Sequence, residues 1–403
     1  MSSGSLLTAF QDFDKSTTTA NISQRQFVLD STKKRRYLWG RFANGEAASM
    51  KYVDAGKSIT FNTVLSPRST YGTYKSGQSG SPTNTNHLVK GENHWAFNRA
   101  NKMYEDAEIL LNEGIKYGMR AGDKSIVMEQ FAKVRDLKNA YLYQDMIDGV
   151  EEQLWAQPDK TLHEKGDVTT GVPAPMPIMA MVNEDTDGLF GTNWTGNTWT
   201  TKQDLDPTTA AYGSNYKPNQ QSYNNSAYGA KGHLFTAFDE MAKDIDWEQP
   251  TTMNEYWENP VLNKQMIVTS RNGHSDVQRT LAANQNHYAF GAQDASYPDP
   301  QYYGVPITWN DSFGAGSYYD DGSNGLGTES TATTKGARFL WLNGNYICPV
   351  IHPSRFFDHD EPQREGTTRP DVWVTWVSLW YQNVWTSIRR HGIVYPSTSI
   401  TGY

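Results

Sequence analysis

The sequence predicts an α+β fold in which a long helix and a set of scattered strands carry an extended β-ribbon. Three observations predict it. Apolar residues recur at helical spacing for about thirty residues around position 140. Alternating residues bracket a stretch without aliphatics between 56 and 103. The segment 372–388 is apolar on both faces.

Composition sets the bounds. The chain has 403 residues, of which 37% are hydrophobic, and a mean hydropathy of −0.69. Such a chain buries a core but keeps much of its surface in loops or for contact with other subunits. It holds 13 Trp, 23 Tyr and 15 Phe, rings with polar tips that suit protein interfaces and sugar sites equally well. Forty-four acidic residues against 36 basic ones give a net charge of −8, so an overall basic footprint for nucleic acid is absent. The one cysteine, Cys348, excludes an intrachain disulfide and a cysteine-based zinc cluster. Residues 1–30 lack the pattern of a signal peptide, and no run approaches the ~18 apolar residues of a membrane span. A cytoplasmic site of synthesis and no membrane association are the expectation.

Residues 1–50 read as a polar, weakly periodic arm. It carries the basic run Lys33, Lys34, Arg35 and Arg36, which fits a solvated edge or, as the sharper alternative, an inward-facing contact to DNA. In GKSITFNTVL (56–65), Ile59, Phe61 and Leu65 fall on one face and Ser58, Thr60 and Asn62 on the other. Residues 66–86 contain no Val, Ile, Leu, Met or Ala, and Trp95, Phe97 and Met103 mark the expected return arm. At ~3.3 Å per residue such a ribbon would reach roughly 60 Å.

The strongest helix covers about 125–156. Val127, Phe131, Val134, Leu137 and Tyr141 form one stripe, and Ala140, Tyr143, Ile147, Val150 and Leu154 its neighbour. Asp123 or Ser125 caps its start and Pro158 stops it, for a rod of roughly 45 Å. Two Gly-, Asn- and Thr-rich stretches, 184–230 and 311–336, interrupt the remainder of the chain. Leu234, Phe238, Met241 and Ile245 form a clean helical face. Met266, Ile267 and Val268 make a buried strand, followed by a helix with Val277 and Leu281. YGVPITW (303–309) is another strand, and 337–352 holds one or two more.

The search for chemistry finds little. Gly56-Lys57-Ser58 lacks the upstream glycine of a phosphate loop, and no HExxH, CxxC or GxSxG pattern occurs. His352, Asp358, His359, Asp360 and Glu361 crowd into one segment, but their spacing suits a polar loop better than a metal site. Asp320 and Asp321 lack the regular oxygen spacing of a calcium loop. Trp373, Trp376, Trp380 and Trp385 fall on two strand faces, which favours packing over a sugar platform. The expectation is a protein without catalytic, cofactor or metal residues.

The order of elements carries a resemblance. A polar arm, a long two-stranded loop, a long helix, a loop-rich mixed region and a return strand follow one another as in the major capsid proteins of tailed bacteriophages, the Johnson or Hong Kong 97-like fold. WAFNRANKMYEDAEILLNEG and the helix after it resemble the stretch that closes the E-loop and enters the spine helix. KQMIVTSRNGHSDVQRTL resembles an A-domain strand and helix. YYGVPITW and FLWLNGNYICPVIHPSRFF resemble the strands returning to the P-domain. The ending WVSLWYQNVWTSIRRHGIVYP, with Asn383, Arg389, Arg390 and Gly392, is similar to the terminal strand of one branch of that family.

The resemblance implies an N-arm at 1–50, an E-loop with its flanks at 51–104, and a P-domain with the spine helix at 105–183. An A-domain with inserted loops would follow at 184–336, and return strands at 337–403. It implies a structural virion protein that is no enzyme and assembles with its own copies, as hexamers and pentamers, into an icosahedral head around double-stranded DNA in the host bacterial cytoplasm. Partners would include a separate scaffolding protein, a portal and decoration proteins. Ile59, Phe61, Tyr71, Tyr74, Trp95 and Phe97 become the subunit-interface candidates, and Lys33, Lys34, Arg35 and Arg36 the inner-face DNA contacts. An encapsulin-like compartment shell, which shares the fold, and a carbohydrate-binding or carbohydrate-active protein are the rivals.

Overall fold

The structure, a computed structural model, describes residues 38–43, 48, 50–68, 85–105, 124–156, 158–163, 173–182, 201–209, 216–224, 233–245, 264–271, 273–275, 277–278, 300–302, 305–310, 338–365 and 369–397. In chain order its elements begin with α1 (Leu38–Ala43), β1 (Lys51–Tyr52), β2 (Ser58–Arg68), β3 (Thr85–His94) and β4 (Ala96–Glu105). Then come α2 (Lys124–Leu154), α3 (Lys160–His163), α4 (Ile178–Met181), β5 (Asn219–Asn224) and α5 (His233–Asp244). The remainder is β6 (Gln265–Thr269), β7 (Gln301–Tyr302), β8 (Val305–Trp309), β9 (Phe339–Asn343), β10 (Ile347–Ile351), β11 (Asp358–His359), β12 (Gln363–Glu365), β13 (Arg369–Trp385) and β14 (Gly392–Ser397). No helix among the described residues is long and apolar enough to cross a membrane.

The chain divides into two compact units. The first takes its described residues from 98–149 and 354–379, the second from 35–97, 150–353 and 380–403. Within the first, α2 faces β4 and the 357–359 turn. Tyr104 Oη donates to Asn139 Oδ1 at 2.8 Å, Lys102 pairs with Asp145 at 2.7 Å, and Tyr143 stacks on His359 at 6.1 Å. β11 and β12 pair antiparallel with the N-terminal part of β13.

In the second unit a six-stranded mixed sheet runs β5-β14-β9-β6-β8-β7. The expected helical face is realised: Leu234, Phe238 and Met241 of α5 and Ile245 just past its end are all buried, in one cluster with Ile267, Ile307, Phe339, Trp341 and Val394. Phe238 meets Phe339, Trp341 and Tyr302 edge-on at 5.1, 5.3 and 5.4 Å, a geometry aromatic quadrupoles favour. β13 continues into this unit, where β10 pairs with it. Val374, Thr375, Val377, Ser378, Leu379 and Tyr381 to Trp385 are buried, so successive side chains on both faces are covered, as expected.

Three expectations are corrected. First, the partner of β2 is β3, not the Trp95–Met103 segment: register runs from Ser58↔His94 to Arg68↔Thr85. Residues 96–105 instead form β4, which pairs with β13. The return arm TNHLVKGENH escaped notice because a ribbon away from the core needs no apolar face; its Leu88 is 56% exposed. Residues 66–68 and 85–86 accordingly belong to strands, and 69–84 lie outside the described residues.

Second, the second stripe of α2 is displaced. Leu142, Met146, Val150 and Leu154 are buried at steps of four, while Ala140 is exposed and Tyr143 and Ile147 are half-buried. The side chains of Val127, Phe131, Val134 and Leu137 lie outside the described residues. Third, residues 1–50 are not polar arm throughout. Leu38, Trp39, Phe42 and Ala43 of α1 are buried, and their spacing in LWGRFA is that of a one-turn apolar face.

Two glycines test this packing. A Cβ on Gly392 would stand 2.2 Å from Met241 Sδ and 3.1 Å from Asn219 O, whereas one on Gly149, inside α2, meets nothing within 4 Å. Gly392→Ala is expected to cost ~1–3 kcal/mol by overpacking. Gly149→Ala should stabilise by up to ~1 kcal/mol through helix propensity. Denaturant unfolding of the two variants checks both signs.

Candidate functional site at the foot of the ribbon

The ribbon β2–β3 is a sheet of two strands, and ten to eleven residues per strand give its described part a length of roughly 35 Å. Its strands are keyed together at Phe61↔Gly91. A Cβ on Gly91 would come within 2.3 Å of the Phe61 ring, so the ring lies over the place where a side chain would stand.

At its foot the ribbon enters the body of the second unit. Ile59 and Trp95 are buried with Cys348, Val350 and Val384, and Val53, Phe61 and Trp380 pack on the cluster. Trp95 Nε1 donates to Gly56 O at 3.0 Å, where φ of +115° suits glycine. His352 sits edge-on between Trp95 (5.9 Å) and Trp380 (5.4 Å), and Phe97 packs edge-on against Trp380 at 4.8 Å.

Beside this apolar plug lies a buried network of amides. Gln203 Oε1 accepts from Asn93 Nδ2 and from Trp385 N, both at 3.0 Å, and its Nε2 donates to Trp385 O at 2.9 Å. Glu92 N donates to Gln203 O at 2.9 Å. Gln203 and Asp204 have φ of +52° and +65°, a turn conformation uncommon for residues other than glycine, which aims the Gln203 side chain at β13. Gln382 Oε1 accepts from Met176 N at 2.6 Å, and its Nε2 donates to His94 O at 2.9 Å. Asn383 Nδ2 donates to Met176 O at 3.2 Å. Four side-chain amides, of Asn93, Gln203, Gln382 and Asn383, thus fasten the end of β3 and the 174–176 and 202–205 segments to β13.

Glu151 makes a second buried node in the same unit. Its carboxylate accepts from Leu38 N (3.1 Å), Trp39 N (2.9 Å), Trp155 Nε1 (2.8 Å) and Asn310 Nδ2 (2.7 Å). It therefore satisfies the first free amides of α1 and joins that helix to the end of α2 and to the residue after β8. Burial pushes its carboxyl above the usual carboxylate range, and the four donors pull it back only in part.

Neither node was visible in the sequence, because Asn93, Gln203, Gln382 and Glu151 stand in no motif. The sequence-derived candidates are dispersed. Ile59 and Trp95 are buried inside the chain, Phe61 is half-buried over Gly91, and Phe97 is 48% exposed. Tyr71, Tyr74, Lys33, Lys34, Arg35 and Arg36 lie outside the described residues, as do Asp320 and Asp321.

Among the described residues no group of three metal-ligating side chains occurs. Asp358 and Asp360 face Arg355 at 2.7 and 3.8 Å, and His359 Nε2 lies 3.1 Å from Thr375 Oγ1. The tryptophans of β13 make no open platform. Trp385 is fully buried, and Arg99 and Arg364 lie over Trp376 and Trp373 at 4.9 and 4.8 Å. Burial raises the Cys348 thiol above its ordinary value, which leaves it the unreactive thiol form.

No family model matches the sequence, and no curated protein matches it. Solved structures match it over nearly its whole length. A subunit of the cyanophage A-1(L) capsid aligns with a TM-score of 0.56 at 12% identity, covering 94% of this chain and 98% of that one. The capsid of an empty GTA particle gives 0.53 at 9% identity, covering 93% and 100%. That of the native GTA particle gives 0.50 at 8%, covering 94% and 100%. The class that the fold defines is therefore the phage-capsid fold. End-to-end coverage in both directions means that the whole chain, rather than a module of it, shares this architecture.

Gln203→Leu tests the foot of the ribbon. It strips Asn93 Nδ2 and both Trp385 backbone groups of their Gln203 partner inside the core, at ~1–3 kcal/mol for each group left without one. We expect a stability loss of at least ~2 kcal/mol by denaturant unfolding, with hydrogen exchange accelerated in 85–94. Glu151→Gln, which turns one acceptor into a donor facing Trp39 N–H, should accelerate exchange in 38–43 instead.

Proposed function

We propose that the chain is the major capsid protein of a tailed phage, a subunit that assembles with its own copies into the icosahedral head around double-stranded DNA. The observation that carries this reading is the near-complete two-way match to a phage-capsid subunit. β2–β3 serves as the E-loop and α2 as the spine helix. The segment before α1 is the N-arm, whose Lys33, Lys34, Arg35 and Arg36 face packaged DNA. Copies meet as hexamers and pentamers, with a separate scaffolding protein, a portal and decoration proteins as further partners, and assembly takes place in the host bacterial cytoplasm. The protein works without catalysis, cofactor or metal.

The physics of the ribbon supports the assignment. An isolated two-stranded sheet is marginal in water, and this one exposes Leu88 on a strand otherwise rich in polar residues. A neighbouring subunit supplies the missing surface, and Phe97, Tyr71 and Tyr74 contribute to the contact. The foot of the ribbon, by contrast, is held by its own chain, so the ribbon leaves the body in a fixed direction. Obligate contacts of such shells bury ~2,000–5,000 Å², which suits a chain with 37% hydrophobic residues and abundant tyrosine.

Negative-stain microscopy of the protein produced with its neighbouring gene products should show closed shells. Boiling those shells in detergent should release a monomer near 45.4 kDa. Joining Asn62 to Lys90 through an Asn-Gly turn removes the ribbon beyond its keyed pair. That variant should stay folded and soluble but form no shells. Normal shells from it would overturn the role given to the ribbon, and sustained polysaccharide turnover by the wild type would overturn the capsid reading.

A further inference from the structure

The foot of the ribbon also holds two histidines that the joint itself does not need. His94 ends β3, and its Nε2 is enclosed with no hydrogen-bond partner among the described residues. The carbonyls of Ala174 and Leu162 lie beside its ring. His163, on α3, is buried. Its Nδ1 accepts from Asp159 N at 2.9 Å and lies 2.8 Å from Asp159 O. Ala174 is tied both to α3 and to the ribbon foot: Ala174 N donates to Leu162 O at 3.1 Å, and Gln382 Nε2 reaches both His94 O and Ala174 O, at 2.9 and 3.5 Å.

We propose that His94 and His163 form an acid-sensitive latch: while both are neutral the ribbon foot stays docked on residues 159–163 and 173–176, and protonation of the pair loosens it.

Burial, and not the neighbouring acidic groups, sets the direction. On α3 and its entry the group in reach is Asp159, which favours a protonated His163. On β3 it is Glu92, two residues from His94 on the same strand face. Residues 173–177 (PAPMP) carry no titratable group, and β13 presents the neutral amides of Gln382 and Asn383. Against these, burial takes the His163 ring and the Nε2 side of the His94 ring out of water, and a charge on His94 disfavours one on His163. Protonating His163 at Nδ1 forfeits the bond from Asp159 N–H and gains one to Asp159 O, which offsets part of the cost of burial.

Burial therefore lowers the pKa of both, that of His163 to about 4, from an ordinary value of 6.5. Folded-state values below the unfolded value mean that the stabilisation is complete above pH ~6.5. It is lost as pH falls toward ~4, at up to about tenfold in the opening constant per pH unit and histidine. The latch belongs to a single chain. That its release frees the ribbon from neighbouring subunits rests on the capsid reading.

The test is hydrogen-exchange mass spectrometry of the full chain, corrected for intrinsic rates, at pH 7 and pH 4.5. Wild-type peptides over 85–97, 159–163 and 173–176 should lose about tenfold or more of their protection at the lower pH. A variant with His94→Gln and His163→Asn should lose less than about threefold. Equal losses in both proteins, or none in the wild type, would overturn the latch. Exchange of histidine ring protons in the wild type gives an independent reading should the double variant fail to fold. His163 should titrate well below pH 6, and titration of both histidines near 6.5 sinks the proposal. Failure to form shells at pH 7 would count against the capsid reading and leave the latch standing.

Discussion

The constraint on which the second unit depends is the need to satisfy buried backbone around the C-terminal half of β13. Residues 381–385 are fully enclosed, yet segments from four distant parts of the sequence converge there. Side-chain amides rather than charges solve the problem. Gln203 and Gln382 each accept and donate at once, and Asn383 donates to Met176 O. An amide carries both functions without the desolvation cost of an ion. The amide-to-backbone bonds themselves involve no ionised group, so they are insensitive to salt in a way that surface ion pairs are not.

That choice explains the contrast along the ribbon. Its foot combines an apolar plug of Ile59, Trp95, Cys348, Val350 and Val384 with the amide network. Further out, cohesion rests on the backbone ladder and on Phe61 lying over Gly91. Glu151 answers the same kind of demand at α1, but there every partner among the described residues is a donor, so a carboxylate rather than an amide fits.

Much of the fold was legible in the sequence where burial follows a period. α2 lies within two residues of its expected ends, the face of α5 is the one read from Leu234, Phe238, Met241 and Ile245, and β13 is covered on both sides. The elements that escaped lacked a periodic signal. β3 is polar because a ribbon strand faces solvent in the single chain. α1 spans six residues, too short for a period to stand out from its polar surroundings. The interface candidates Ile59 and Trp95 were apolar for the ordinary reason that they belong to a core. The site itself was illegible for a deeper reason: a buried Gln or Asn is indistinguishable in sequence from a solvated one until its partners, 110 to 290 residues away, are known.

Absence of a motif and absence of a family match then have a common physical origin. An enzyme must keep particular atoms in place, and that leaves short signatures in the chain. A fold by itself demands no such signature, and the capsid subunits that share this one match the chain at only 8–12% identity. Each element here is replaceable in kind, as an aromatic plug, an amide clamp or a glycine keyed under a ring, provided the register of β2 on β3 and of β10 on β13 is kept. Register is set by the pattern of apolar and polar positions and by turn geometry rather than by any single residue, because a one-residue slip would turn every side chain to the other face. In this chain that register is fixed from Ser58↔His94 at the foot of the ribbon outward, and from Ile347↔Trp385 to Ile351↔Tyr381 between β10 and β13.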